Sequence, residues 1–270
     1  MTQQHRGRVL IVAGSDSGGG AGIQADIKTV TMLGGFAATA ITALTAQNTL
    51  GVHGVYDVPA AFVEQQMRVV LQDIGADAIK TGMLHSPSVI EAILRVLDDL
   101  APHVPLVVDP VMVAKGGARL LQPEAETALI ERLIPRATVI TPNLPEAEAL
   151  IGRPIPGREA MPDAAQSLLS LRPKAVLLKG GHLADGEVLD LLQTPQGETA
   201  FTSARIESRH THGTGCTLAS AIATGLAFGK PLEQAVAEAR DYVRQAMVSA
   251  PGFGQGHGPL DHGWPLKRKA

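Results

Sequence analysis

Cysteine is nearly absent from this sequence, since Cys216 is the only one among 270 residues. A single thiol cannot form a disulfide within the chain, and it excludes a zinc site made of paired CxxC motifs. This favours a reducing compartment, and we expect a cytoplasmic location. Aromatic residues are also scarce, with one Trp, two Tyr and five Phe. So few rings argue against base-stacking platforms and against an aromatic belt at a membrane surface.

An excess of charge of either sign is missing as well. The 23 Lys and Arg against 26 Asp and Glu give a net charge of -3, which offers no electrostatic footprint for DNA or RNA. The N-terminal Met1–Arg8 is polar, and the apolar run Val9–Ala13 is too short for a signal peptide. The longest mostly apolar stretch, Phe36–Ala46, falls short of the roughly 20 residues that a membrane span requires. We therefore expect small-molecule partners, and neither a nucleic acid nor a membrane.

Short apolar runs without polar alternation recur along the chain, and such runs are typical of strands buried on both faces of a parallel sheet. We predict strands at Val9–Ala13, Ala78–Lys80, Val104–Val108, Ala137–Thr141 and Ala175–Lys179. The clearest helix is Ser86–Leu100, with Ser86 as N-cap and Pro87 at the first helical position. Further helices are predicted at Ala21–Leu33, Ala60–Gln72, Pro123–Leu133, Ala160–Leu171, Gly215–Phe228 and Leu232–Ala250. This alternation predicts a doubly wound α/β fold, in which ligands bind beyond the carboxyl ends of the strands.

The domain organisation follows from the absence of any shift in composition along the chain. We find no internal repeat, and one domain over residues 9–263 is expected. Residues 1–8 are predicted to be a polar N-terminal extension. Residues 264–270 are predicted to be a basic, solvated C-terminal tail.

A glycine-rich segment, Gly14–Gly22, lies between the first predicted strand and a predicted helix. Glycines at such a junction let backbone N–H groups approach a small ligand closely. The segment lacks the Gly-Lys-Ser/Thr of a Walker A sequence and the clear acidic partner of a dinucleotide fingerprint. By itself it fits a tight turn equally well.

Two carboxylates follow predicted strands. Asp109 ends the strand at Val104–Val108, while Asn143 and Glu146 come just after the strand at Ala137–Thr141. Hard oxygen ligands at neighbouring strand ends suit a Mg²⁺ ion that bridges nucleotide phosphates. The structural alternative is that Asp109 forms a turn before a proline and that Glu146 complements a helix dipole.

The segment His210–Cys216 (HTHGTGC) precedes an apolar helix rich in small residues. Gly213 and Gly215 would let the N–H groups of residues 213–216 converge at the helix N-terminus, as an anion hole for a transferring phosphoryl group. The helix dipole would also stabilise a thiolate at Cys216. Three alternatives remain open: a Cys/His nucleophilic pair, a His-x-His-x₃-Cys metal site, or a simply buried cysteine.

Three further segments follow apolar runs. Lys179 in KGGH could meet a phosphate, Gln47 in TAQN offers a carboxamide, and Met83 in KTGML offers an apolar wall. Each segment alone is explained more simply as a solvated loop or as core filling.

Taken together, eight segments in the same order resemble the ribokinase-like superfamily, and most closely its hydroxymethylpyrimidine/phosphomethylpyrimidine kinases of thiamine biosynthesis. The resemblance extends from about Val9 to His262. It rests on the segments 13–26 (AGSDSGGGAGIQAD), 45–48 (TAQN), 80–84 (KTGML), 109–115 (DPVMVAK), 141–147 (TPNLPEA), 179–182 (KGGH), 210–216 (HTHGTGC) and 256–262 (GHGPLDH). It implies a ribokinase-like, mostly parallel doubly wound fold with helices on both sheet faces.

The activity that this resemblance implies is the ATP-dependent phosphorylation of 4-amino-5-hydroxymethyl-2-methylpyrimidine and then of its monophosphate. Gln47 resembles the residue that recognises the aminopyrimidine edge, since its amide offers one donor and one acceptor group. The other implied substrate contacts are Met83, Ala21, Gly20 and Asp26, and for Asp26 a structural role is the open alternative. The implied magnesium-associated acids are Asp109 and Glu146, the implied ATP contacts are Asn143, Lys179, Thr211 and Gly215, and the implied catalytic residues are Cys216, Gly213, Gly215 and Lys179.

Cys216 departs from the wider superfamily, in which an aspartate is the usual base at this position, although the pyrimidine kinases share the cysteine. Pyridoxal/pyridoxine kinases of the same superfamily are the nearest alternative function. A non-catalytic small-molecule binder and a thiol-dependent hydrolase are alternatives from other classes. The resemblance also implies a homodimer, and it leaves open whether Pro110–Leu120 moves as a lid.

Overall fold

The computed structural model describes residues 7–112, 117, 120–183 and 186–267. Its strands are β1 (Arg8–Ala13), β2 (Phe36–Ile41), β3 (Ala43–Asn48), β4 (Gly51–Asp57), β5 (Ala78–Thr81), β6 (Leu106–Val108), β7 (Val139–Ile140), β8 (Val176–Lys179), β9 (Glu187–Thr194) and β10 (Gly197–Ala204). Its helices are α1 (Gly22–Met32), α2 (Ala60–Asp73), α3 (Pro87–Leu100), α4 (Pro123–Ala128), α5 (Leu144–Ile151), α6 (Met161–Leu169), α7 (Thr214–Ala227), α8 (Leu232–Val248) and α9 (Trp264–Lys267). A π-helical turn (Leu129–Leu133) and 3₁₀ turns (Ile134–Arg136, Arg158–Ala160) complete the described elements.

The strands form an eight-stranded sheet in the order β10-β9-β8-β7-β6-β5-β1-β2, and β3 pairs with β4 in a separate hairpin. The six strands from β8 to β2 are parallel, whereas β9 and β10 continue the sheet antiparallel. The register pairs Val12 with Thr81, Thr81 with Val108, and Val108 with Ile140. Because these strands run side by side in one direction, their carboxyl ends meet at one edge of the sheet.

Alternate strand residues supply two hydrophobic cores, one on each face of the sheet. Leu10, Val12 and Ile79 pack into the larger core with α2, α3 and α6. Val9 and Ile11 pack on the opposite face, with α1, α7 and α8. Because both faces of the sheet are buried, the sequences of these strands are continuous apolar runs. Helices on both faces of a mostly parallel sheet confirm the doubly wound α/β fold.

The sequence predictions agree with most of these elements but differ at three places. The five predicted strands correspond to β1, β5, β6, β7 and β8, although β7 is only two residues long. The strand β2, the hairpin β3–β4 and the antiparallel strands β9 and β10 were not predicted. β3 and β10 alternate between more buried and more exposed residues, and Asp190 interrupts the buried leucines of β9, so none of these three has an uninterrupted apolar run. Ser86 does lie at the N-cap of α3, but its hydroxyl makes no capping bond and lies 3.1 Å from the hydroxyl of Ser88.

The predicted domain boundaries lie close to structured residues. Arg8, the last residue of the expected N-terminal extension, begins β1 and bonds Asp77 through its side chain. The ring of Trp264, the first residue of the expected tail, lies 5.8 Å from that of Tyr242. No helix in the described ranges is long and apolar enough to cross a membrane.

His262 anchors the C-terminal segment against α7 and α8. Its side chain is buried, its Nε2 lies 2.9 Å from the hydroxyl of Thr217, and its carbonyl accepts a 2.7 Å hydrogen bond from the hydroxyl of Tyr242. Burial lowers the pKa of His262 to about 4, and the charge of Lys28 lowers it further. The folded protein therefore holds this ring neutral at pH 7.

We predict that this neutral histidine makes folding stability sensitive to acid. An unfolded-state pKa of about 6.5 exceeds the folded value, so the contribution is complete above pH 6.5 and is lost as the pH falls toward 4. Between pH 7.5 and pH 4.5 the wild type should lose about 2–3 kcal/mol more unfolding free energy than His262→Gln, as measured by urea titration. The same substitution at the exposed His53 is the matched control, and parallel curves for wild type and His262→Gln would contradict the prediction.

Candidate active site

A cavity of about 820 Å³ opens at the carboxyl edge of the parallel strands, against the N-terminus of α7. Residues from both halves of the chain converge on it. Of the residues predicted for the site, it is lined by Ala21, Gln47, Met83, Asp109, Asn143, Glu146, Lys179, Thr211, Gly213, Gly215 and Cys216. The structure therefore brings these predicted residues together at one end of the sheet, from strand ends, from the hairpin β3–β4 and from the start of α7.

The glycine-rich segment after β1 is folded around the carboxylate of Asp16. That buried carboxylate accepts backbone N–H bonds from Gly18 at 2.8 Å, Gly20 at 3.0 Å and Ala21 at 2.8 Å. Gly22 begins α1 with a φ of +54°, and a Cβ there would lie 2.5 Å from the carbonyl oxygen of Gly14. The segment is thus a tight turn that also forms one wall of the cavity. Gly20 itself lies behind that wall and does not line the cavity.

Gln47 lies on β3, just after a register shift between Ala46 and Gln47. Such a bulge re-aims the side chains that follow it. Its Oε1 lies 3.2 Å from the hydroxyl of Thr45, and its Nε2 lies 3.3 Å from Nε2 of His212. The same histidine Nε2 lies 2.8 Å from Oδ2 of Asp16. Burial alone would raise the pKa of the Asp16 carboxyl, but hydrogen bonds from His212 and the loop backbone outweigh burial and lower it.

Asp109 and Lys179 form an ion pair across the ends of β6 and β8, which flank β7. Nζ of Lys179 lies 3.3 Å from Oδ1 of Asp109, which also accepts a 2.9 Å hydrogen bond from the hydroxyl of Thr141. Burial lowers the pKa of Lys179, but the carboxylates of Asp109 and Glu146 outweigh that effect and keep it above its usual value. Lys179 is therefore a cation at neutral pH, held where a phosphate could approach.

Asn143 and Glu146 form a reciprocal capping box at the start of α5. Oδ1 of Asn143 accepts from the backbone N–H of Glu146 at 2.9 Å, and Oε2 of Glu146 accepts from that of Asn143 at 2.8 Å. Burial raises the pKa of Glu146 to about 7, and the nearby charge of Asp109 adds to this while Lys179 opposes it. Glu146 therefore lies in the first turn of a helix, as its structural alternative states, and its side chain also lines the cavity.

The donor set of this edge fits Mg²⁺. Among the described residues, Oδ2 of Asp109 and Oε1 of Glu146 accept no hydrogen bond, and both side chains line the cavity. Mg²⁺ is typically held by one or two carboxylates together with water and substrate phosphates. The described residues contain no cluster of three or more His, Cys, Asp or Glu that could hold a metal by themselves. This disfavours the His-x-His-x₃-Cys alternative and leaves the two carboxylates as the plausible ligands.

Cys216 lies in the first turn of α7. Gly213 precedes the helix with a φ of +83°, as predicted for a turn that only glycine adopts readily. The N–H of Thr214 bonds the carbonyl of Thr211, whereas the N–H groups of Gly215 and Cys216 have no acceptor among the described residues. Two free N–H groups at a helix N-terminus suit an anion.

The protonation state of Cys216 differs from the sequence expectation. Burial, opposed by the charge of Lys80 and assisted by those of Asp26 and Asp109, raises the pKa of the thiol to about 12. The helix dipole was expected to favour the thiolate, and this expectation is wrong for the ligand-free protein. Cys216 is partly buried at the cavity wall, and the loss of hydration there outweighs the effect of the helix end on the thiolate.

Asp26 lies beneath the cavity and does not line it. Its fully buried carboxylate ion-pairs with the fully buried Lys80 at 2.9 Å and accepts a 2.7 Å hydrogen bond from the hydroxyl of Ser220. Burial raises the pKa of Asp26. The structure therefore corrects the expected substrate contact: Asp26 holds Lys80, and it is Lys80 that reaches the cavity wall.

A second cavity of about 420 Å³ adjoins the first. The two cavities share Asn143, Lys179, His182, Thr211, Thr214 and Gly215. The second one continues over β10 and α8, where Arg240 and Arg244 line it. The residues expected to contact ATP therefore lie at the junction between two binding spaces.

Sequence reasoning missed Asp16, Thr45, Lys80 and His212 as members of this site. Each belongs to a quoted segment, but charge and polarity alone did not separate them from turn or loop residues. A lysine at the end of an otherwise apolar run was the available signal for Lys80, because an unpaired ammonium is rarely buried. In the expected lid, residues 113–116 and 118–119 lie outside the described residues, so lid motion stays an open prediction.

We predict that Gly213 is essential to the packing of the two loops. A Cβ at Gly213 would lie 1.8 Å from the carbonyl oxygen of Gly20, in addition to the strain of a positive φ. Gly213→Ala should lower the unfolding free energy by about 3–5 kcal/mol, measured by urea titration. Gly229 has a φ of +76° with open space around it, so Gly229→Ala is the matched control and should cost only about 1–2 kcal/mol. Equal losses in the two variants would mean that the loop contact is unimportant.

The chain matches a family model described as phosphomethylpyrimidine kinase over residues 16–261. It is 47% identical to the hydroxymethylpyrimidine/phosphomethylpyrimidine kinase of Streptomyces coelicolor over 258 residues, which cover 96% of this chain and 95% of that protein. It is 54% identical over 257 residues to the thiamine biosynthesis bifunctional protein ThiED of Geobacter sulfurreducens. That match covers 95% of this chain but only about half, 52%, of the longer relative.

Solved structures give a consistent result. A phosphomethylpyrimidine kinase from Clostridium difficile is 43% identical with a TM-score of 0.79, covering 89% of this chain and 99% of that chain. A Bacillus subtilis pyridoxal kinase, solved as an ADP complex, is 33% identical with a TM-score of 0.89, covering 97% and 100%. These neighbours confirm the ribokinase-like fold that the sequence motifs predict. The chain is a kinase that belongs to the phosphomethylpyrimidine kinase family.

Proposed function

We propose that this protein transfers phosphoryl groups from ATP, with Mg²⁺, first to 4-amino-5-hydroxymethyl-2-methylpyrimidine and then to its monophosphate. The observation that carries this proposal is the pair of adjoining cavities that share Lys179 and the α7 N-terminus. A group that must pass between two bound molecules requires that arrangement. Family membership and the named activities of the relatives support the same reaction.

The acceptor pyrimidine would occupy the larger cavity. Gln47 offers one donor group and one acceptor group to the ring edge, while Met83 and Ala21 supply apolar walls beside it. The hydroxymethyl group would then lie toward Cys216 at the N-terminus of α7. In this placement the larger cavity holds the flat, polar ring between its walls, and the hydroxymethyl oxygen of the substrate faces the phosphate.

The nucleotide would occupy the smaller cavity with its phosphates at the junction. Lys179, Asn143 and Thr211 line that junction and would contact phosphate oxygens. Asp109 and Glu146 would hold Mg²⁺, which supplies charge neutralisation on the phosphates when it is bound. The Asp109–Lys179 ion pair keeps both charges in place before the substrates arrive.

The transferring phosphoryl group would be stabilised by the free N–H groups at the start of α7, next to Gly213 and Gly215. Preorganised donors of this kind stabilise the developing charge at little reorganisation cost. Cys216 is placed to take the hydroxyl proton in the first phosphorylation. In the second phosphorylation the acceptor is already an ionised phosphate, so no base is required. One site can therefore perform both steps.

A pyridoxal kinase is the second candidate function. The observation that favours it is the TM-score of 0.89 with the Bacillus subtilis pyridoxal kinase, above the 0.79 found with the Clostridium difficile enzyme. Sequence identity favours the pyrimidine kinase, at 43% against 33%. A pyridine ring would fit the same apolar walls, so the ring-edge contacts must separate the two functions.

We also propose that the protein is a cytoplasmic homodimer. The hairpin β3–β4 exposes Leu44 and Tyr56, which are cross-strand neighbours on its outer face. A two-stranded sheet is only marginally stable by itself, and a second copy of the chain would cover these side chains. The lone Cys216 supports the cytoplasmic location.

The substrate assignment is tested by incubating the protein with MgATP and, separately, with the hydroxymethylpyrimidine, its monophosphate and pyridoxal. Product masses should show one phosphate added to each pyrimidine, at a kcat/KM well above that for pyridoxal. Preferred turnover of pyridoxal would support the second candidate. Binding of the pyrimidine without any ATP turnover would indicate a non-catalytic binder, and turnover that needs no ATP would indicate a thiol-dependent hydrolase.

The role of Cys216 predicts a difference in pH dependence between the two phosphorylations. Since the thiol has a pKa of about 12, the thiolate fraction rises about tenfold per pH unit between pH 6 and pH 9. The first phosphorylation should rise with it, and Cys216→Ser should slow this step by about 10²–10⁴-fold and flatten its profile. The second phosphorylation, measured separately from the monophosphate, should keep its rate. Equal slowing of both steps would mean that Cys216 only shapes the anion hole, and no slowing would mean that it only packs.

A further inference from the structure

The side-chain amide of Gln47 is held between a hydroxyl and an imidazole. The hydroxyl of Thr45 lies 3.2 Å from Oε1 on one side, and Nε2 of His212 lies 3.3 Å from the amide Nε2 on the other. The two amide atoms are distinguished by the hydrogen bonds that they can make, because a donor must face an acceptor. The neighbours of Gln47 therefore determine which way its amide points.

His212 provides a donor at this position. Its Nε2 lies 2.8 Å from Oδ2 of the buried Asp16, which also accepts N–H bonds from Gly20 and Ala21. A carboxylate that accepts these bonds is ionised, and the lowered pKa of Asp16 agrees with this. An ionised carboxylate requires a proton on Nε2. Its single proton is then directed at Asp16, and the nitrogen has no lone pair to accept an N–H of Gln47, so the amide oxygen must face it.

Thr45 provides an acceptor. Its hydroxyl lies 2.8 Å from the carbonyl oxygen of Ser15, and it carries a single proton, which that carbonyl accepts. The lone pairs of the hydroxyl remain for Gln47, so the amide nitrogen must face Thr45. Both neighbours therefore require the two ends of the amide to exchange places relative to the contacts given above, with Oε1 toward His212 and Nε2 toward Thr45.

We propose that His212, fixed by Asp16, and Thr45 are positioning residues that lock the Gln47 amide in one orientation and thereby select the 4-aminopyrimidine edge. This inference rests on the proposed function, in which Gln47 contacts the ring. In the locked orientation the amide presents its oxygen to the exocyclic amine and its remaining N–H to the adjacent ring nitrogen. A 4-oxo ring has the reverse pattern, with a carbonyl acceptor and a ring N–H donor, and it would require the inverted amide.

Inverting the amide breaks the hydrogen bonds on both sides. The hydroxyl of Thr45 would have to leave the carbonyl of Ser15 to donate to Gln47. His212 would have to move its proton to Nδ1, which leaves a nitrogen lone pair facing the carboxylate of Asp16. Only the 4-oxo ring would require these changes, so they would weaken its binding and leave that of the 4-amino ring unaffected. A polar site rejects a ligand in this way when the ligand's donors and acceptors do not match its own.

The kinetic test compares kcat/KM for 4-amino-5-hydroxymethyl-2-methylpyrimidine with that for its 4-oxo analogue. The wild type should prefer the amino compound by at least about 100-fold, and His212→Leu should reduce this ratio by at least about tenfold. Thr45→Val keeps the side-chain shape and should also reduce it. His212→Gln puts an amide N–H donor near the position of Nε2, and it should keep the ratio within about threefold. A purely structural role would lower both kcat/KM values together and leave their ratio unchanged.

His210→Leu is the matched control, because His210 is two residues away in the same loop and lines neither cavity. Its ratio should equal that of the wild type. Gln47→Leu should abolish the preference. Suppose that Gln47→Leu abolishes the preference but that His212→Leu and Thr45→Val both keep the wild-type ratio. The inference is then wrong, while the proposed function stands. If Gln47→Leu keeps the preference, the inference is also wrong, because another group then reads the ring.

A spectroscopic test does not depend on the substrate at all. In the ligand-free wild-type protein, the ¹⁵N shifts of His212, assigned with the His212→Gln variant, should show a protonated Nε2. A neutral ring with its only proton on Nδ1 would overturn the inference directly. If the protein phosphorylates neither pyrimidine, the proposed function fails, and this measurement still decides whether the amide is locked.

Discussion

Parallel pairing of the central strands is the constraint on which the rest of the structure depends. From β8 to β2 the strands run in one direction, and their register aligns Val12, Thr81, Val108 and Ile140. Since both faces of this sheet are covered by helices, polar side chains can emerge without burial only where the strands end. The ends of β1, β5, β6, β7 and β8 therefore supply the cavity, and the chemistry of the site follows from what the chain places there.

Charge balance is the second requirement of that edge. Lys179 is surrounded by the carboxylates of Asp109 and Glu146, and Lys80 is paired with Asp26. A lone charge at such depth would cost several kcal/mol, whereas each of these groups meets an opposite charge or a hydrogen bond. Burial and the charge of Asp109 raise the pKa of Glu146 to about 7, so its protein partners alone stabilise its anion incompletely. A divalent cation beside Asp109 and Glu146 would complete the balance, which is consistent with the Mg²⁺ site proposed there.

Two loops far apart in the chain close the remaining walls by direct contact. The carboxylate of Asp16 holds the loop after β1, and the same carboxylate bonds His212 in the loop before α7. Gly213 approaches this loop so closely that no Cβ fits beside Gly20. The amide of Gln47, on β3, lies against His212, so three segments of the chain meet at this wall of the cavity.

The sequence by itself determined the strands with continuous apolar runs, the helices with apolar periodicity, and the segments that carry polar groups to the strand ends. Those features depend on residues that are close to one another in the chain, so the order of apolar and polar residues is enough to predict them. Only the tertiary structure decided that Asp26 holds Lys80 beneath the cavity, that burial keeps Cys216 protonated, and that His212 faces Gln47 with Nε2. The partners in these contacts are separated by 54 residues for Asp26 and Lys80 and by 165 for Gln47 and His212. Desolvation and hydrogen-bond direction arise from such distant partners, and local periodicity carries no information about them.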